Sequence, residues 1–104
     1  DFQNTKFKVA EFSARLLAVE SLLARACSEY DSGRDPVAEA SSAKFLASDI
    51  AMEATTFAVQ AHGGIGFSRQ LDVERFMRDA KITQIYEGTN EIQRSIIARA
   101  VVSE

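Results

Sequence analysis

Little in this sequence of 104 residues is of the kind that announces chemistry. It has one cysteine and one histidine. The lone thiol, Cys27, cannot close an internal disulfide, and its apolar helical neighbours read it as a buried, inert side chain. The lone imidazole, His62, has neither a cysteine nor a second histidine to share a metal with, which argues against a zinc-type centre. No apolar run approaches the ~20 residues that cross a bilayer, and no signal-peptide pattern is visible. Positive charge is not in excess either. Twelve Lys and Arg stand against 15 Asp and Glu, for a net charge of −3, and the basic residues are not clustered. That argues against a dedicated nucleic-acid surface. There is no internal repeat and no low-complexity segment.

What is there is helical periodicity. Hydrophobic residues make up 46% of the chain, enough for a core, and the length suits one small domain, 1–104. The sequence starts with Asp1 rather than Met and runs straight into a helical pattern, so it looks like part of something longer. From about Phe2 to Tyr30, the residues Val9, Phe12, Leu16, Val19, Leu23, Ala26 and Tyr30 recur at steps of three and four. That is the stripe of a 3.6-residue period, and a helix this long needs a partner along most of its length. Glu11 and Arg15 form an i,i+4 pair beside it. The stretch Asp31 to Pro36 ends the helix, with Asp35 as N-cap and Pro36 as first residue of the next. So short a link predicts an antiparallel hairpin. The second helix, about Pro36 to Ala61, carries a stripe of mostly small residues: Ala40, Ala43, Ala47, Ile50, Ala54, Phe57 and Ala61. A second apolar row holds Phe45, Leu46, Met52 and Val59. Two apolar faces ask for cover on two sides, from the same domain, another domain or a second subunit.

Gln60-Ala61-His62-Gly63-Gly64-Ile65-Gly66-Phe67 closes that helix with three glycines in four residues. Bare amides there can approach a phosphate, although a simple C-cap and turn has the same signature. The loop follows a helix and not a strand, so it is neither a Rossmann fingerprint nor a P-loop. A short helix from Asp72 to about Ala80 comes next, with Val73, Phe76, Met77 and Ala80 on its buried side and a Glu74–Arg78 pair outside. Ile82–Gly88 reads as an extended link. Thr89 caps a last helix, Asn90 to about Val102, with Ile92, Ile96, Ile97 and Val101 inward. No second strand can pair with Ile82–Tyr86. The fold class is therefore all-α: an up-and-down, four-helix-bundle-like domain of three long helices and a short one. Glu87 stands out as a carboxylate held just before a glycine bend and a fresh helix N-terminus. That is a place for a working acid or base, and equally a common position for an ordinary exposed glutamate.

Three segments carry a family resemblance. They are Gln60 to Phe67, then Glu74-Arg75-Phe76-Met77-Arg78-Asp79-Ala80-Lys81-Ile82, then Ile85-Tyr86-Glu87-Gly88-Thr89-Asn90-Glu91-Ile92-Gln93. Together with the opening Phe2-Gln3-Asn4-Thr5-Lys6-Phe7-Lys8-Val9-Ala10-Glu11, they closely resemble the C-terminal domain of the acyl-CoA dehydrogenases, in the same order and spacing across the whole chain. The resemblance implies that an N-terminal helical domain and a middle β-domain precede this one in a longer flavoenzyme. It also implies that the arginine that meets the FAD pyrophosphate in the family lies upstream of Phe2.

Such enzymes oxidise an acyl-CoA to the trans-2-enoyl-CoA. A base takes the α-proton and hydride leaves the β-carbon for FAD. By resemblance the base is Glu87, in the Tyr-Glu-Gly-Thr motif. The chemistry suits the residue types. Burial beneath ligands strengthens a carboxylate as a base, and backbone donors to the thioester oxygen stabilise the developing enolate. Gly88 would let the chain turn away beside the substrate. Thr89, Asn90 and Glu91 would face the cofactor. Within Gln60, Ala61, His62, Gly63 and Gly64, the first and the two glycines match positions that touch the adenosine diphosphate part of FAD, contributed in the family by a neighbouring subunit. Arg99 matches a position near the CoA moiety, although a solvated helix charge looks the same. The resemblance further implies a tetramer, electron transfer flavoprotein as electron acceptor, and a bacterial cytoplasmic or mitochondrial matrix location. Two other readings remain: a non-catalytic helical oligomerisation module, and an acyl-CoA oxidase-like enzyme that passes electrons to oxygen.

Overall fold

Five helices and no strand form among residues 2–102, the part of the chain that the computed structural model describes. They are α1 (Gln3–Asp31), α2 (Val37–His62), α3 (Gly64–Phe67), α4 (Val73–Thr83) and α5 (Asn90–Val101). The all-α expectation holds. The hairpin also forms as expected. The cap sits one residue later than the sequence suggests: Pro36 and not Asp35 is the N-cap of α2, its carbonyl accepting from the Ala40 amide at 2.8 Å, while Asp35 Oδ1 accepts from the Val37 amide at 3.0 Å. The Phe12 and Phe57 rings meet at 5.9 Å, Arg15 pairs with Glu53, and Arg25 pairs with Glu39 at 3.1 Å. Partners that descend along α2 as they climb along α1 define an antiparallel pair.

The other side of α2 is covered by α4 and α5, placed one after the other. Gln84 reaches Asp49, Asn90 reaches Ser48 and Asp49, and Arg94 lies over the Phe45 ring at 4.6 Å. Both helices therefore run against the direction of α2, and the break between them falls opposite its middle. Helix α2 is the central element, and among the described residues α1 does not contact α4 or α5. Its own residues Ser41, Ala43, Ser48 and Ile50 are buried.

Four expectations change. Ile82–Gly88 is not extended. Helix α4 continues to Thr83, and the amides of Ile85 and Tyr86 both fold back onto Ile82 O, at 2.9 and 3.0 Å. The β-branched, aromatic run had signalled a strand, but no sheet exists to receive one, and the helix keeps these groups hydrogen-bonded. Cys27 is exposed, not buried. Helix α1 meets only one neighbour, so Val19 and Ala26 are buried and Phe12 is half-buried, while Val9, Leu16, Leu23 and Tyr30 remain exposed. On α4, Phe76 is exposed, and on α5 so are Ile92 and Val101, whereas Asn90 and Gln93 are buried. The start of α5 is buried though polar, because α2 presents Lys44, Ser48 and Asp49 to Asn90 and the preceding turn presents two carbonyls to Gln93.

These observations order the energetics. Ile50 is 3% exposed, so Ile50→Ala should cost about 2–5 kcal/mol in a denaturant titration. Arg15 and Glu53 form a two-pronged pair at 2.6 and 3.0 Å, but it is largely exposed, so Glu53→Gln should cost less than about 1 kcal/mol after solvent screening. The Arg15 hydrogen bond holds the Glu53 carboxyl below its ordinary value of 4.5. The pair's contribution is thus fully present above that value and is lost as pH falls through the lower folded value. Thermal melts across that range should show the small advantage of the wild type over Glu53→Gln shrinking with acid.

Candidate functional site

The break between α4 and α5 is a turn held from three directions. Asn90 N donates back to Gln84 O at 3.0 Å, which closes the turn. Glu87 has φ 54°, the one non-glycine residue with positive φ among those described, and Gly88 follows at φ 85°. A glutamate in the left-handed region costs about 1 kcal/mol or more, and it persists only where its surroundings impose it. Here the surroundings are identifiable. Gln93 Nε2 donates to Glu87 O at 3.1 Å and Gly88 O at 3.3 Å, and Lys44 Nζ donates to Gly88 O at 2.8 Å. Thr89 then caps α5, its hydroxyl oxygen accepting from the Ile92 amide at 3.3 Å.

Glu87 itself is exposed, and its carboxylate has no partner among the described residues. The backbone amides of Glu87 and Gly88 likewise donate to no acceptor in the described chain. Beside them lies a mostly apolar groove of about 410 Å³, walled by Ala47, Ala51, Thr83 and Tyr86, with Lys44 and Glu87 at its edge. An exposed carboxylate, free backbone donors and an apolar groove together can receive a ligand with a polar carbonyl and a greasy tail.

The neighbours differ in how far they are free. Asn90 is 4% exposed and its amide is turned inward. Its Nδ2 donates to Ser48 Oγ at 2.8 Å and Asp49 Oδ1 at 2.9 Å, and its Oδ1 accepts from Lys44 Nζ at 2.8 Å. Glu91 is exposed at the first turn of α5. Its own amide and the Thr89 hydroxyl, helped by Arg94 and Lys81, hold its carboxyl below the usual range. Arg99 is exposed in the last turn of α5, donating to Ser95 Oγ at 3.3 Å, roughly 14 Å along the helix from Asn90 at 1.5 Å per residue.

The glycine turn is a separate place. Gln60, Ala61, His62, Gly63 and Gly64 are all exposed at the C-terminal end of α2. His62 Nδ1 is 2.7 Å from Ala58 O, a local helix contact. Gly63 has φ 66°, and a Cβ at Gly63 or Gly64 would meet nothing within 4 Å. The edge is bare and open. Gly66, by contrast, is buried where a Cβ would come within 2.7 Å of Val59 O, so its role is close packing of α3 on α2. Lys44, beside Glu87, and Gly63 are separated by roughly 28 Å along the α2 axis at 1.5 Å per residue. Arg99 apart, the sequence-selected residues thus fall into two groups, one at each place.

Sequence reasoning overlooked Lys44, Ser48, Asp49, Gln84 and Gln93, which hold the turn. One signal existed. Ser41, Lys44 and Ser48 recur at steps of three and four on an alanine-rich helix, a polar stripe where the helix is otherwise apolar.

The sequence matches the family model for the acyl-CoA dehydrogenase C-terminal domain over residues 1–102, and the chain belongs to that family. A probable acyl-CoA dehydrogenase of Mycobacterium leprae is 47% identical over 102 residues, 97% of this chain and 26% of the relative. The butyryl-CoA dehydrogenase of Megasphaera elsdenii superposes with a TM-score of 0.91 at 44% identity, over 97% of this chain and 26% of that one. A chain in a structure of the electron transferring flavoprotein of Acidaminococcus fermentans superposes with a TM-score of 0.94 at 41% identity, over 100% of this chain and 27% of that one. The chain spans about a quarter of the length of the curated relatives it matches.

Gly88 is the position where the turn is least forgiving. An alanine there keeps an unfavourable φ, and its Cβ would meet Gln93 Nε2 at 2.8 Å, displacing a side chain that makes two hydrogen bonds. Gly88→Ala should lower stability by roughly 1 kcal/mol or more. Gly64→Ala, in open space without positive φ, should change it by no more than about 0.5 kcal/mol. Paired thermal melts of the two variants check the contrast.

Proposed function

We propose that this chain is the C-terminal part of an FAD-dependent acyl-CoA dehydrogenase, in which Glu87 removes the α-proton of the acyl-CoA thioester. The observation that carries the reading is Glu87 itself. It is a strained non-glycine residue beside an apolar groove, with an unpartnered carboxylate and an unpartnered amide. Strain of this kind concentrates where geometry serves a ligand.

In this reading the acyl chain enters the groove along Ala47 and Ala51. The thioester oxygen accepts from the Glu87 amide, which stabilises the negative charge that develops as the proton leaves. A ligand laid over the carboxylate removes it from water, and desolvation strengthens it as a base. FAD, when bound, supplies the acceptor for the hydride that leaves the β-carbon. The residues at the glycine turn fit its polyphosphate, because Gly63 and Gly64 leave room for close approach. Thr89 and Glu91 stand at the open end of α5, next to the base. Arg99 is offered as a contact for the CoA end.

The separation of the glycine turn from Glu87 supports a division between subunits, in which each chain contributes its base to one cofactor and its glycine edge to another. The exposed apolar residues of α1 support cover by further domains or subunits, consistent with a tetramer. The electron acceptor proposed is electron transfer flavoprotein. The full-length parent would work in the bacterial cytoplasm or mitochondrial matrix, and no described helix is long and apolar enough to cross a membrane.

In the complete enzyme, Glu87→Gln should retain FAD while the rate of flavin bleaching by acyl-CoA falls by at least about 100-fold. Bleaching at the wild-type rate would remove the assignment.

A further inference from the structure

We infer that Lys44 is a positioning residue for Glu87, acting through the backbone of the turn, an inference that rests on the reading of Glu87 as the base. Lys44 leaves the N-terminal third of α2, and its Nζ lies 2.8 Å from both Gly88 O and Asn90 Oδ1. It therefore ties the residue after the base to the first residue of α5. Gln93 Nε2 holds the carbonyl of Glu87 itself and shares Gly88 O with Lys44. With the carbonyls of residues 87 and 88 both held, the two peptides that follow the Glu87 Cα are fixed in orientation, and with them the direction in which the Glu87 side chain leaves the backbone.

The anchor at the other end is equally defined. Asn90 receives the Lys44 hydrogen bond on Oδ1 and gives its two hydrogens to Ser48 Oγ and Asp49 Oδ1. Asp49 Oδ1 also accepts from Gln84 Nε2 at 2.8 Å, immediately before the turn. Ser48 donates onward to Phe45 O at 3.0 Å. Both ends of the turn are thus referred to one rigid turn of α2. A charge-assisted donor at the centre suits this use, since such bonds are shorter and stronger than neutral ones. Lys44 also lines the groove on which Glu87 opens.

The test uses the complete flavoenzyme. Lys44→Met keeps the length of the side chain and removes its donors. It should retain FAD and assembly and hold KM for acyl-CoA within about threefold, while the single-turnover rate of flavin bleaching falls by about 100-fold, as expected for a misplaced base. Gln93→Met should show the same split, more weakly. Lys44→Cys, made with Cys27→Ser and treated with 2-bromoethylamine, rebuilds an ammonium at nearly the original reach, and bleaching should recover by at least about tenfold over the untreated protein. The Cys27→Ser enzyme with Lys44 intact is the control for the reagent.

Bleaching within about threefold of wild type in a folded Lys44→Met enzyme overturns the inference. So does an aminoethylated protein that gains no rate. Should Lys44→Met lose FAD or assembly, undiminished bleaching in Gln93→Met would assign Lys44 to the fold alone and overturn it as well. Glu87→Gln separates the two levels. If that variant bleaches normally, the base assignment fails and takes the positioning role with it. If it is inert while Lys44→Met is not impaired, only the positioning role fails.

Discussion

The side-chain amide of Asn90, buried between α2 and the start of α5, is the interaction on which the rest depends. Helix α2 runs unbroken past a second layer that is broken. A break pressed against a helix exposes carbonyls and amides that water cannot fully reach, and each such group left unpaired costs about 1–3 kcal/mol. Gln93 and Lys44 meet that demand at the carbonyls of residues 87 and 88, and Asn90 anchors Lys44 to α2 with both ends of its amide, taking a hydrogen bond from Lys44 and giving two to Ser48 and Asp49. Among the described residues no buried side-chain nitrogen or oxygen lacks a partner. A network satisfied to this degree fixes one geometry, whereas a partly satisfied one would favour several.

That fixed geometry explains why strain is tolerated at Glu87. Its left-handed backbone is unfavourable alone, but relaxing it would move carbonyls away from Gln93 and Lys44, whose hydrogen bonds together outweigh about 1 kcal/mol of conformational cost. The adjacent glycine has two independent reasons for being there: positive φ, and the close approach of Gln93 Nε2. The same bonds leave the amides of Glu87 and Gly88 pointing to no protein acceptor. The turn satisfies its carbonyls internally and keeps its donors free, an asymmetry that suits a site meant for an oxygen atom of a ligand.

Local features of this arrangement were legible in the sequence. The helical hairpin followed from Asp35-Pro36, the last helix from the Thr89 cap, and the Glu74–Arg78 pair, at 2.9 Å, from its spacing. The family resemblance drew attention to Glu87 and the glycine turn. What could not be read were relations between residues far apart in the chain. Lys44 and Asn90 are 46 residues apart, and no periodicity connects them. Ile82–Tyr86 has the composition of a strand, yet the amides of Ile85 and Tyr86 fold back on one carbonyl, and no second strand is present among the described residues. Cys27 misled for a related reason. Its apolar neighbours describe a helix, but how much of that helix is covered depends on how many partners it meets.

The two groups of residues selected from the sequence are linked by a single rod. Between Val37 and His62, α2 contains neither glycine nor proline, the residues that most often kink or hinge a helix. Its small residues Ala43 and Ala47 let the neighbouring layers approach, and its polar residues Lys44, Ser48 and Asp49 grip the turn that carries Glu87. Its last residue, His62, leads directly into the open glycine edge. Because a helix has a fixed rise per residue, the distance between the two places is set by the number of residues between them and not by the packing of loops. If the two places serve cofactors in different subunits, α2 is also the element that holds those subunits in register, and the alanine stripe, the polar stripe and the glycine end become parts of one constraint.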